Sequence, residues 1–98
     1  MEVEFKNTTL SRLGTDVSYD AGYDHAVVRA FRMRLQLIRA AIDERPFYAL
    51  KSLHFEKLKG DRVGRYSMRL NSQWGLILKF KKKDSGKTAV VISISDYH

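Results

Sequence analysis

The spacing of apolar residues changes character about halfway along this chain. Val3 and Phe5 alternate with Glu2, Glu4 and Lys6, the period-two pattern of a short opening strand over residues 3–6. Asn7, Thr8 and Thr9 offer a cap for a short helix over residues 10–13, which Gly14 is expected to end. Asp24 then stands as N-cap before the strongest helical signal, residues 25–43. There Val27, Phe31, Leu35, Ile38 and Ile42 recur every three or four positions and predict one buried stripe. Arg29, Arg32, Gln36 and Arg39 form a polar ridge beside it, read first as a solvated face and second as a contact surface. Pro46 is expected to stop the helix, because the residue before a proline is disfavoured from helical geometry.

Beyond an apolar connection over residues 47–53 the period falls to two. Residues 55–58, 66–71, 74–81 and 88–95 read as strands. Leu76, Leu78 and Phe80 share one face of the third, with Ile77, Lys79 and Lys81 on the other. In the last, Val91 is expected opposite Ile92 and Ile94, with Ser93 and Ser95 on its own side. Residues 83–87 form a hairpin turn, and Gly60 and Gly64 bracket another. The fold class is α+β: an opening strand, two N-terminal helices, then a mainly antiparallel sheet of about four further strands packed on the long helix. Residues 1–98 make one domain.

Composition narrows the chemistry. The chain has no cysteine, which excludes disulfides, thiolate metal sites and cysteine nucleophiles. His25, His54 and His98 are too scattered for a metal motif, so neither metal nor cofactor is implied. No apolar run approaches membrane-spanning length and the first residues carry acid where a secretory leader carries base, so a cytoplasmic protein with no membrane partner is expected. The formal charge is +7, and it is unevenly placed. Residues 1–50 hold seven Lys/Arg against seven Asp/Glu, whereas residues 51–98 hold eleven against four. A basic half of this kind attracts polyanions and speeds their encounter.

The run Leu58-Lys59-Gly60-Asp61, then Gly64-Arg65-Tyr66-Ser67, Asn71, Gln73-Trp74 and the terminal Asp96-Tyr97-His98 resembles the HigB branch of the RelE/ParE toxin superfamily, the plasmid maintenance system killer type. His25-Ala26 with Arg29, Arg32 and Leu35 is similar to that family's second helix. The resemblance covers nearly the whole chain. It implies a RelE-like fold and a type II toxin, acting as a ribosome-dependent endoribonuclease (an mRNA interferase) on mRNA in the decoding site. It also implies a HigA-like helix-turn-helix antitoxin as partner, with operator DNA reached only through that antitoxin. Two positions depart from the pattern. Gly75 stands where the family has an arginine after the tryptophan, and Glu56 where it often has a histidine. The alternative reading is a catalytically impaired homologue that binds nucleic acid or the antitoxin.

Metal-independent RNA cleavage needs a base for the ribose 2′-hydroxyl, cations for the crowded phosphate and an acid for the leaving oxygen. The candidate catalytic residues are His98, Tyr97, Asp96, Arg65, Arg69 and Lys59. His98 is suited to proton transfer, since imidazole titrates near pH ~6.5. Tyr97 can hydrogen-bond phosphate or stack on a base, and Asp96 can orient His98 or act as base. Lys59, Arg65 and Arg69 would neutralise phosphate, and both arginines are also candidates to replace the cation missing at Gly75. Arg62, Lys57, Lys79 and Lys81 are the candidates for RNA-backbone binding. Arg65, Ser67 and Arg69 alternate along one strand and so share a face, and Asp96 and His98 are expected to meet them there. His54 is a weaker candidate, and His25 is assigned to the helix start.

Overall fold

The computed structural model describes residues 1–84 and 86–96; Ser85, Tyr97 and His98 lie outside the described residues. Strand β1 (Glu2–Phe5) leads into helix α1 (Thr8–Thr15), whose N-cap Asn7 accepts the Leu10 amide on its side chain at 2.9 Å. Gly14 does not end this helix. It is the point of closest approach: a Cβ there would stand 2.9 Å from Leu35 Cδ1 and 3.0 Å from Phe5 Cζ, so glycine lets α1 press on the long helix and on β1.

Helix α2 (His25–Ala40) buries Val27, Val28, Phe31, Leu35 and Ile38, as the stripe predicts. It stops short of the expected residue 43, because Ala41 turns to extended geometry (φ −89°, ψ 151°). Ile42 therefore leaves the stripe and is 84% exposed. The Met1 ammonium donates to the carbonyls of Ile38, Arg39 and Ala41 at this end, a positive charge where the helix dipole favours one. Pro46 consequently does not stop α2. It sits in the first turn of a new helix, α3 (Arg45–Ala49), where its missing N–H costs nothing. Phe47 and Leu53 bury what looked like a plain connection, and a single 3-10 turn (Lys51–Leu53) completes it.

The remaining strands are β2 (Glu56–Lys57), β3 (Tyr66–Arg69), β4 (Trp74–Lys83) and β5 (Gly86–Asp96). They make one sheet in the order β1-β5-β4-β3-β2, antiparallel except that β1 runs parallel to β5. One face, with Met68, Leu76, Leu78, Ala89 and Val91, packs on α1 and α2. The other is not covered by helices and carries a small cluster of Ile77, Val90 and Ile92 beneath Leu58.

Register is broken once. Ile77 pairs with Ser93 but Leu78 pairs with Val91, so Ile92 is an extra, bulged residue. The bulge corrects the alternation expected for the last strand. Ile94 joins the helix-side core together with Val91, and Ser93 and Ser95 turn to the open face.

Candidate functional site

Three sequence features bring the site residues onto the open face. Tyr66 and Met68 pack into the helix-side core, so alternation turns Arg65, Ser67 and Arg69 outward, as expected. Register then fixes their neighbours: Ser67 pairs with Ile77 and on the other side with Glu56, and Arg69 pairs with Gly75, which pairs in turn with Ser95. Glu56 is thus a carboxylate on the open face, flanked along β3 by two arginines. Along the sequence it stands out only as a departure from the family pattern, because its placement depends on which strand it pairs with.

His54 enters through its backbone. It closes the 3-10 turn in left-handed geometry (φ 45°, ψ 45°), a conformation that costs a residue with a Cβ about 1–2 kcal/mol. The ring lies with Nε2 3.2 Å from Arg69 Nη1. Since guanidinium only donates, this contact needs a neutral imidazole with its proton on Nδ1. No local signal in the sequence links residues 54 and 69; left-handed geometry at a non-glycine residue is what marks the position. Below, Arg34 of α2 donates Nε to the Arg69 carbonyl at 3.1 Å, tying the end of β3 to the long helix. Burial pushes the Arg34 guanidinium down from its ordinary value.

The β3–β4 turn is built by Asn71, whose side-chain oxygen accepts the amides of Gln73 at 2.9 Å and Trp74 at 2.7 Å. The turn aims Gln73 Nε2 at Asp96 Oδ2, 3.1 Å away. Trp74 meets the Tyr23 ring edge-to-face at 5.5 Å. Asp96 is the last residue of β5 and pairs with Trp74, so it follows the Trp74 and Ile94 side of the strand rather than the row of Arg69, Gly75 and Ser95. His98 and Tyr97 lie outside the described residues.

The other cations are not one stripe. Lys59 and Arg62 are exposed at either end of the 3-10 turn Gly60–Arg62, which Gly60 (φ 70°) and Gly64 (φ 86°) make possible. Arg65 is half-buried, and its carbonyl accepts the Leu58 amide at 2.8 Å. Lys79 is exposed on the open face. Lys57 pairs with Tyr66 and turns to the helix side. Lys81 is held by Glu4 at 2.8 Å. The arginine ridge of α2 also divides. Arg32 donates to the carbonyls of Leu13, Asp16 and Tyr19 at 2.9–3.1 Å and pins the α1–α2 connection, so it is neither a solvated nor a free contact residue.

This architecture is shared with a solved YoeB/ParE toxin from Agrobacterium tumefaciens, with a TM-score of 0.64 over 100% of both chains at 18% sequence identity. The family model described as the RelE-like toxin of type II toxin-antitoxin system HigB matches residues 3–98. The chain belongs to this HigB-like toxin family. A type II toxin is paired with an antitoxin. Among curated proteins, none matches.

Proposed function

We propose that the chain is a ribosome-dependent endoribonuclease that cuts mRNA in the decoding site by metal-independent general acid–base chemistry. RelE-like toxins are generally endoribonucleases. The observation that carries the reading is the gathering on one open face of two arginines, a carboxylate between them and an imidazole on the second arginine.

In this reading the RNA lies across the open face with its scissile phosphate between Arg65 and Arg69. Arg65 and Arg69 grip the non-bridging oxygens, with Lys59 beside them. Glu56 takes the proton of the 2′-hydroxyl, whose oxygen attacks phosphorus. A 2′,3′-cyclic phosphate forms, the P–O5′ bond breaks, and the 5′-oxygen leaves with a proton donated by His98. Tyr97 stacks or hydrogen-bonds beside it, and Asp96, steadied by Gln73, orients the chain end. Arg62, Lys79 and the edge lysines Lys57 and Lys81 supply the field that holds the backbone. Gly75 fits this arrangement. It lies directly across from Arg69, and facing residues stand about 5 Å apart at Cβ, so Arg69 can deliver the charge that an arginine at 75 would bring. The reaction belongs in the cytoplasm, where ribosomes translate.

The test is primer extension on mRNA bound to purified ribosomes, with wild type, Arg69→Ala, Glu56→Gln and a His98-deleted chain. Wild type should produce discrete 5′ ends, and Arg69→Ala should cut about 100-fold more slowly. Glu56→Gln, which lacks the carboxylate that takes the proton, should cut about 100-fold more slowly as well. Cutting by Arg69→Ala and Glu56→Gln at the wild-type rate would sink the site. No cutting by wild type would favour the impaired, partner-binding reading.

A further inference from the structure

Away from the arginine face, on the helix side of β2, β3 and β4, lies an open cavity of about 400 Å³. Its aromatic wall is Tyr66 and Phe80, ring centroids 5.2 Å apart. Tyr66 is backed by Phe55, stacked at 5.4 Å with planes only 4° apart, so the wall is braced from behind. Lys57, Lys82 and Lys87 stand around it, and Val63, 75% exposed, forms the lip. Glu44 is the single carboxylate in the lining, and it is matched: Lys87 Nζ lies 2.7 and 2.8 Å from its two oxygens, a contact that raises the Lys87 pKa. Lys57 and Lys82 are exposed and make no ion pair among the described residues.

We propose that this cavity is an accessory binding pocket for one nucleotide of single-stranded RNA, its base against Tyr66 and Phe80 and its phosphate between Lys57 and Lys82. A braced aromatic wall rimmed by lysines is the chemistry with which proteins hold unpaired bases without reading their sequence. A protein partner fits less well, since lysine is depleted from the centres of protein interfaces. The pocket is separate from the candidate cleavage face. It lies across the sheet from Ser67 and Arg69, and Lys82 is seven residues along β4 from Gly75, about 23 Å of strand. It would hold the RNA on the opposite face of the sheet from the cut, and the choice of RNA as ligand rests on the proposed function.

The experiment follows the Tyr66 and Phe80 ring resonances by NMR while the full chain is titrated with hexauridylate, and in parallel with inorganic phosphate. Affinity is then measured by fluorescence anisotropy for wild type, for the double variant Lys57→Glu/Lys82→Glu, and for Lys6→Glu/Lys51→Glu, which has the same net charge. Expected are saturable ring shifts with hexauridylate and none with phosphate. The pocket variant should bind about tenfold more weakly, with a salt slope shallower by about 0.7. The control should stay within about twofold. Rings that do not respond, or equal weakening in both double variants, would overturn the pocket and leave only a diffuse positive field. Ring shifts with the antitoxin but not with hexauridylate would overturn it in favour of a protein contact. Ribosomal cleavage is read separately, so a chain that cuts no mRNA yet shifts Tyr66 and Phe80 would remove the enzymatic reading and keep the pocket.

Discussion

His54 is held in a backbone conformation that glycine adopts freely, and its ring is spent on a partly exposed contact to Arg69. A residue selected for stability alone would not be histidine there. Replacing it with glycine relieves the left-handed strain but adds freedom to the unfolded chain, and relief is the larger effect. His54→Gly should therefore stabilise the fold by roughly 0.5–1 kcal/mol in urea denaturation, while mRNA cleavage falls. A loss of more than about 1 kcal/mol would instead make the imidazole–guanidinium contact a structural tie. Arg65 and Arg69 were legible beforehand, because alternation along a strand is a local property. Glu56 was not, because the register of β2 against β3 put it beside them, and His54 was legible only as a weaker candidate, because one positive φ brings its ring to Arg69.

Among the elements, α1 shows what periodicity leaves out. A glycine just past a short helical stretch reads as a helix end, yet the helix runs through it to Thr15. The glycine is needed for a distance between elements, and no pattern along one element encodes that distance. Gly14→Ala gains up to about 1 kcal/mol of helix propensity and drives a methyl into Leu35 and Phe5, a clash that costs about 1–3 kcal/mol. The net expectation is destabilisation of about 1 kcal/mol in urea denaturation, with the activity of the folded protein unchanged. A variant more stable than wild type would mean that the Phe5 ring swings aside freely. The bulge at Ile92 was hidden for a related reason. Three of the four residues Val90, Val91, Ile92 and Ile94 fit either strict alternation or a bulge, and only pairing with β4 decides. Helix α2 and strand β4 were recovered because their stripes are long enough to fix a face without knowledge of a partner.

At the scale of the whole molecule, folding redistributes the charge. The excess positive charge belongs to the second half of the sequence, but carboxylates of the balanced first half close onto the lysines of the β4–β5 hairpin. Glu4 reaches Lys81 at 2.8 Å and Lys83 at 3.0 Å, and Glu44 reaches Lys87 at 2.7 Å. Lys57, Lys59, Arg62 and Lys82 are exposed and make no ion pair among the described residues, so their charge stays available to RNA. Hydrogen bonding from Lys81 first, and then from Lys83, holds the Glu4 carboxyl below its ordinary value of 4.5. Such a group stabilises the fold fully above pH 4.5, and the contribution is lost as pH falls through its lower folded value. Lys83, raised above 10.5 chiefly by its hydrogen bond to Glu4, contributes fully below that pH and loses its contribution only on the far alkaline side. Between these limits the bridge is intact. Thermal melts at low salt should thus be insensitive to this bridge near neutrality, and wild type should lose melting temperature below pH 4.5 more steeply than Glu4→Gln. These groups are exposed, so the difference should be small and should fade in high salt. Parallel acid limbs for the two proteins would mean that the bridge carries no stability and serves only to neutralise the hairpin. In that case Glu4→Gln would still free Lys81 and leave Lys83 with Glu2 alone, and its hexauridylate affinity at neutral pH would rise above that of wild type.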